Sequence, residues 1–263
     1  MKAMILAAGL GTRLRPLTDN RPKALVEVAG RTLLEITLCR LRDQGVCDVI
    51  VNVHHFAEMV VDYLEANRNF GMRIEVSREA VLLDTGGGLK KAAYFFLSDS
   101  GDEPFILHNV DVISTIDLGR MARFHRDQKA LATLAVARRE TSRYLVFDEQ
   151  MRLRGRRAER EGAAAVAQPQ ERLQDLAFSG VHIISPRLLG MMTEEGGFSI
   201  ITAYLRLASL GEKILGFEDG HAYWRDLGRP ESVERAAEDL GAYYELIGQQ
   251  RRERIIPSAR SEE

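Results

Sequence analysis

The sequence has little cysteine and no surplus of either charge. Cys39 and Cys47 are the only cysteines in 263 residues, which excludes a disulfide scaffold, and they read as small buried side chains rather than a bridge or a metal pair. With 36 Lys and Arg against 38 Asp and Glu the formal net charge is −2, so no global basic excess exists to neutralise a nucleic-acid backbone. No apolar stretch approaches the roughly 20 residues of a membrane span. The N-terminal apolar run passes directly into glycines instead of a small-residue cleavage site, so it does not read as a secretory signal. The cytoplasm is the expected compartment, with neither nucleic acid nor membrane as partner. Hydrophobic residues at 45% and charged ones at 28% suit an ordinary globular chain, and the length suits one large α/β domain with a full core.

Two familiar phosphate-binding motifs are also missing. No Gly-Lys-Ser/Thr tripeptide occurs, so there is no P-loop, and Leu14 stands where a dinucleotide fingerprint needs its third glycine. No Ser-His-Asp or Cys-His constellation stands out either. Present instead is the apolar run Ala3 to Ala8, which breaks into Gly9-Leu-Gly-Thr-Arg-Leu-Arg-Pro16 and closes on Arg21-Pro-Lys23. A short apolar run bounded by glycine fits a buried parallel strand, and the ligand crevice of an open α/β sheet lies beyond the carboxyl ends of its strands. Gly9 and Gly11 let the backbone approach a ligand with its N–H groups turned inward, while Arg13 and Lys23 supply charge for a polyphosphate. An ordinary strand-to-helix turn accounts for the glycines but not for Arg13, Arg15, Pro16, Pro22 and Lys23.

Downstream, apolar spacing predicts a helix over 32–44, a strand over 49–53, a helix over 56–64 and a strand over 72–76. This is the alternation of a parallel sheet with right-handed connections. His54 and His55 end the second strand but lack a metal-ligand spacing, and a hydrogen-bonded or solvated pair explains them equally well. Gly86-Gly87-Gly88 predicts a loop that something flat could approach closely. A single apolar strand is expected from Pro104 to Val112, with Asp111 at its tip. A strand-end carboxylate beside a triphosphate loop is a natural Mg²⁺ ligand, because that ion prefers hard oxygen donors and combines one or two carboxylates with phosphates and water. Further elements are a helix over 117–128, strands over 130–137, 177–184 and 213–217, a helix over 198–210 and a closing helix over 231–247. The arginine-rich region from Arg138 to Gln174 reads as a β-hairpin insertion with a mobile loop, its arginines forming a solvated face.

Leu6-Ala-Ala-Gly-Leu-Gly-Thr-Arg-Leu-Arg-Pro-Leu-Thr18, followed by Arg21-Pro-Lys-Ala-Leu-Val26, closely resembles the N-terminal motif of the sugar-1-phosphate nucleotidylyltransferases. The resemblance runs from Met1 to about Leu240 and is weakest between Arg138 and Gln174. It implies a single Rossmann-like domain of the GT-A type over 1–247, with a mostly parallel central sheet, a small β-hairpin insertion at 138–176, and a polar tail at 248–263. It also implies an enzyme that joins a nucleoside triphosphate to a sugar 1-phosphate with Mg²⁺, giving a nucleotide sugar and pyrophosphate. On the same resemblance Arg13 and Lys23 are catalytic. Leu6, Ala7, Ala8, Gly9, Gly11 and Thr12 contact the triphosphate, while Asp84, Gly86 and Gly87 lie against the nucleobase. Asn109 and Gly180 contact substrate. Asp111 is one metal ligand, and Asp226, in Trp224-Arg-Asp-Leu-Gly-Arg-Pro-Glu231, is the second.

The Asp84-Thr-Gly-Gly-Gly form looks most like that of N-acetylmuramic acid 1-phosphate uridylyltransferases and of heptose or mannose 1-phosphate guanylyltransferases, which favours UTP or GTP. Two departures stand out: Val110 replaces the glycine usual before the metal aspartate, and the Glu-Lys-Pro segment of many members is missing. Two other readings remain, a phosphocholine-type cytidylyltransferase, whose N-terminal motif is very similar, and a catalytically inactive nucleotide-sugar-binding regulatory protein. The triple glycine and the Trp224-Arg225-Asp226 end favour sugar over the first; the retained Arg13, Lys23, Asp111 and Asp226 argue against the second. A monomer or small homo-oligomer is expected.

Overall fold

Every residue of the first strand is buried, because both faces of the sheet that contains it are covered. The computed structural model describes residues 1–98, 102–158, 161–165 and 172–239, with the backbone alone at 158 and 161–165. Strand β1 is Ala3–Leu6. After the glycine loop come the short hairpin strands β2, Glu27–Val28, and β3, Arg31–Thr32. Helix α1, Leu33–Asp43, starts where Thr32 accepts a hydrogen bond from the Glu35 N–H at 3.1 Å, half of a capping box. Strand β4, Asp48–Val53, helix α2, Ala57–Ala66, and strand β5, Arg73–Arg78, complete the expected alternation.

Helices α3, Asp84–Lys91, and α4, Ala93–Leu97, lead to strands β6, Phe105–Asn109, and β7, Val112–Ser114. The single strand expected from Pro104 to Val112 is therefore broken at Val110-Asp111, where the chain turns. Helix α5 is Leu118–Asp127, capped by Asp117, and strand β8 is Ala132–Ala137. Strands β9, Arg143–Phe147, β10, Leu153–Ala158, and β11, Glu161–Ala165, form an antiparallel meander. Strand β9 pairs with the long strand β12, Gln174–Ile184, so the arginine-rich region extends the main sheet. The loop expected within that region lies outside the described residues. Helices α6, Arg187–Gly190, and α7, Ile200–Ser209, strands β13, Ile214–Glu218, and β14, Trp224–Asp226, and helix α8, 230–239, finish the described chain. The rest of the expected closing helix and the tail from 248 fall beyond it.

Among the described residues the central sheet has ten strands, in the order β11-β10-β9-β12-β6-β1-β4-β5, with β8 beside β12 and β13 beside β8. Its β6-β1-β4-β5 portion is parallel, as the βαβ alternation requires. Alternation along β1 sends Ala3 and Ile5 into a core with α1, α2, α5 and α8, and Met4 and Leu6 into a core with α3, α4 and α7. The α/β architecture is thus three layers. Both cysteines are free, but neither is fully buried as expected: Cys39 is half-buried and Cys47 exposed.

Three histidines are sealed into this scaffold. His182 Nδ1 and the Tyr204 hydroxyl share a hydrogen bond at 3.0 Å, and His125 bonds Thr133 and Ser185, both at 3.0 Å. Burial pushes His108 and His125 down to about 4, and burial together with neighbouring His108 pushes His182 to about 3. Each ring is neutral in the fold but would charge near pH 6.5 in the unfolded chain. Their stabilisation is complete above that pH and is lost as pH falls towards the folded values. From pH 6.5 to 5 the loss is roughly 2 kcal/mol per ring. The melting temperature should fall steeply between pH 7 and 5, before carboxylates titrate; a flat profile over that window would contradict neutral buried rings.

Candidate active site

The carboxyl ends of β1, β4 and β6 meet at one edge. Leu6 lies opposite Asn52 on β4 and Asn109 on β6. The Ala7 N–H donates to Asn52 Oδ1 at 2.7 Å, and the Val110 N–H to the Leu6 carbonyl at 3.2 Å. The glycine loop therefore leaves a pinned strand end. Gly11 has φ of +66°, and a Cβ there would come within 2.9 Å of Thr18 Cγ2 and 3.3 Å of Lys23 Cβ. Thr18 donates to the Gly11 carbonyl at 2.8 Å. This tight return delivers Lys23, whose Nζ pairs with Asp111 Oδ2. Both side chains are largely buried, at 13% and 12% exposure, where a charge pair is much stronger than on the surface.

The second carboxylate arrives from the far end of the chain. Strand β14 pairs with β7 so that Asp226 stands opposite Val112, and the Leu227 N–H donates to the Asp111 carbonyl at 2.8 Å. Asp226 Oδ1 accepts from the Gly228 N–H at 2.9 Å. Burial, and then the charge of Asp111, raise the Asp226 carboxyl above its usual range, against the opposing pull of Lys23 and Arg13. Gly228 is required here: a Cβ would lie 2.7 Å from Asp226 Oδ1 and 2.9 Å from Arg13 Nη2. Arg13, Lys23, Asp111 and Asp226, separated by more than 200 residues of chain, thus share one locus. Two repelling carboxylates form a hard-oxygen donor set that fits Mg²⁺, and no cluster of three or more acidic, His or Cys ligands exists among the described residues. Remaining coordination would fall to phosphate oxygens and water, as this ion prefers.

A cavity of about 320 Å³ opens beside this group, within the range of small-molecule sites. Leu6, Ala8, Gly9, Lys23, Asp84, Asn109 and Asp111 line it, with Val110 beside them, as do Asn52, Leu82, Thr85 and Gly197, which the motif reading did not single out. Ala7, Gly11, Thr12 and Arg13 do not line it, though Ala7 is tied to the lining Asn52. Gly86 and Gly87 do not line it. The triple glycine is not a loop but the first turns of α3, packed so closely that a Cβ on Gly86 would strike Phe198 at 2.3 Å and one on Gly87 the Gly196 carbonyl at 2.4 Å. The Gly86 and Gly87 N–H groups donate to the Phe198 carbonyl at 2.8 and 3.3 Å, so their freed backbone is spent on packing. Gly180, with φ of +76°, lies on the other side of β6 against Val112 and Asn109.

Asn52 was detectable by the strand-end rule that found Asp111. His54, two residues on, instead bonds the Glu79 carbonyl through Nδ1 at 2.8 Å. Glu79 is the hidden support: its buried carboxylate accepts from Asn52 Nδ2 at 2.7 Å and from the Leu83 N–H at 3.0 Å, holding Asn52 and the Leu82–Asp84 lip together.

Residues 2–242 match the family model described as nucleotidyl transferase. The chain belongs to this nucleotidyl transferase family. It is 35% identical, over 88% of its length and 93% of the relative's, to N-acetylmuramate alpha-1-phosphate uridylyltransferase of Caulobacter vibrioides. It is 30% identical to mannose-1-phosphate guanyltransferase of Yarrowia lipolytica, over 88% of this chain but 61% of that one. Among solved structures, HddC from Yersinia pseudotuberculosis complexed with GMP-PN superposes with a TM-score of 0.70 at 23% identity, over 91% of this chain and 99% of that one, a likeness of fold.

Gly88 tests the supporting network of this family member. A Cβ there would sit 2.7 Å from Glu79 Oε1 and 2.8 Å from Asn52 Nδ2. Gly→Ala in a helix is worth up to about 1 kcal/mol in favour, but leaving a buried carboxylate and amide unsatisfied costs about 1–3 kcal/mol or more. Gly88→Ala should therefore lower stability in denaturant titration and weaken nucleotide binding; a gain in stability would show that the network yields.

Proposed function

We propose that the chain transfers a uridylyl group from UTP to a sugar 1-phosphate, N-acetylmuramate 1-phosphate foremost, releasing pyrophosphate. The observation that carries this reading is the Lys23–Asp111 pair, with Asp226 and Arg13 beside it, at the mouth of the glycine-loop cavity. The choice of donor and acceptor is supported by the likeness to the Caulobacter uridylyltransferase over nearly all of both chains. The acceptor needs little activation. A phosphate monoester has its second pKa near 6 and is mostly dianionic at neutral pH, which agrees with the lack of a nucleophile–base pair in the sequence. Its oxygen attacks the α-phosphorus in line, and pyrophosphate leaves with the electron pair.

The barrier to overcome is repulsion between two anionic reactants. Asp111 and Asp226 would hold Mg²⁺, which when bound neutralises and polarises the α-phosphate. Lys23 orients phosphate oxygens along the line of attack, and Arg13 with the loop N–H groups receives the charge that moves onto pyrophosphate.

Pyrophosphate release measured for five nucleoside triphosphates against several sugar 1-phosphates, with phosphocholine as control, tests this. UTP with N-acetylmuramate 1-phosphate should give the highest kcat/KM, a chelator should abolish it, and Asp111→Asn should lower it by about 10²–10³-fold without unfolding the protein. Preference for GTP and mannose 1-phosphate would move the chain to the guanylyl branch, and activity only with CTP and phosphocholine would sink the sugar reading. Nucleotide-sugar binding without any turnover would mark a regulatory protein.

A further inference from the structure

Across β6 from the nucleotide cavity lies a half-buried cation, Arg139, that meets no acid among the described residues. Arg139 lies two residues beyond β8. Because β8 and β6 both run antiparallel to β12, they run parallel to each other, and Arg139 leaves the sheet at the same edge as Asn109 and Asp111. The sheet order puts the cavity over β6-β1-β4 and Arg139 on the β12-β8 side. The Arg139 guanidinium sits 3.5 Å over the Trp224 ring, Nη1 donates to Ser179 Oγ at 3.0 Å, and Nη2 donates to the Phe178 carbonyl at 2.5 Å. Trp224 is itself fixed by its Nε1–H donating to the Ser179 carbonyl at 2.8 Å. Two residues along β14 from that ring stands Asp226.

The contacts of Arg139 are all to neutral groups. Three other arginines of this region have carboxylate partners: Arg138 with Glu218, Arg154 with Asp148, and Arg157 with Asp175. Among the described residues no carboxylate lies within ion-pair distance of Arg139, although it feels the field of Asp226. A guanidinium withdrawn from water without a counter-ion is costly, and buried charges are ordinarily paired. Two of its donors are used for positioning, leaving others of the planar fork available to a tetrahedral oxyanion.

We propose that Arg139 binds the phosphate of the acceptor sugar 1-phosphate, facing the donor across Asp111 and Asp226; this rests on the sugar-1-phosphate reading above. The Trp224 face and Ser179 hold the fork, and the phosphate supplies the charge that the fold withholds. Donor triphosphate and acceptor monoester are separate sources of the same chemistry, so each needs its own arm of the test.

Steady-state kinetics of the full chain would give KM for UTP and for the acceptor in wild type, Arg139→Gln and Arg139→Lys, with folding read from the UTP-induced rise in melting temperature. Arg139→Gln should raise the acceptor KM by about 10- to 100-fold, the weight of a charge-assisted hydrogen-bonded pair, and leave the UTP KM within about twofold. Arg139→Lys, keeping a point charge without the fork, should fall between the two. An unchanged acceptor KM, or an equal rise for UTP, would overturn the assignment. Should Arg139→Gln not fold, Arg139→Lys decides by the same split. Wild-type protein inactive with every sugar 1-phosphate would overturn the functional reading; active wild type with an unmoved acceptor KM overturns only the role of Arg139.

Discussion

The ion pair between Lys23 and Asp111 joins the two parts of the chain that the site cannot do without. Asp111 sits where β6 ends and the backbone turns, largely withdrawn from water, and the β14 ladder brings Asp226 alongside. Burial, and then repulsion from Asp111, raises the Asp226 carboxyl above its usual range. Lys23 and Arg13 offset that repulsion from the glycine loop. Two negative and two positive side chains leave the locus close to neutral, which lets it stay folded around charges whose proposed partners, a cation and phosphates, also carry opposite signs.

That balance depends on close approach, and glycine makes the approach possible at a few places. Gly11 turns the loop so that Lys23 reaches the strand edge. Gly228 leaves room for Arg13 and the Asp226 carboxylate in the same corner, and Gly88 leaves room for the Asn52–Glu79 hydrogen bond beneath the cavity. At each a methyl group would meet another side chain under 3 Å away, a Thr18 methyl at Gly11 and polar atoms at Gly228 and Gly88. The sheet order then separates the surroundings into two sides: a cavity over β6-β1-β4, and the Trp224, Ser179 and Arg139 cluster on β12-β8.

The parts of the site that were legible beforehand are those whose chemistry is local. Gly9, Gly11, Arg13 and Lys23 lie within one loop, and Asp111 ends an apolar run, so spacing alone marks them. Gly86-Gly87-Gly88 misled, because glycine's propensity predicts a loop while the surroundings favour a helix: close packing on Phe198 and Gly196 and hydrogen bonds to the Phe198 carbonyl outweigh about 1 kcal/mol per residue. Glu79 and Gly197 carried no local signal, since each matters only through a partner remote in sequence. In sequence Arg139 is one more member of a charge run; only the fold gives Arg138, Arg154 and Arg157 carboxylate partners and, among the described residues, none to Arg139.

Sequence by itself determined the strand–loop–helix alternation, the α/β class with a mostly parallel sheet and the charged loop at the end of β1, because hydrophobic period and glycine placement act over a few residues. It also carried a family likeness that the match over residues 2–242 bears out. Tertiary structure alone decided which distant side chains share one locus: Asp226 beside Asp111, Glu79 beneath Asn52, and Arg139 on the face of Trp224. The physical reason is that these relations arise from strand order and register, which couple residues remote in sequence, whereas the burial that makes their charges consequential exists only once the layers have closed.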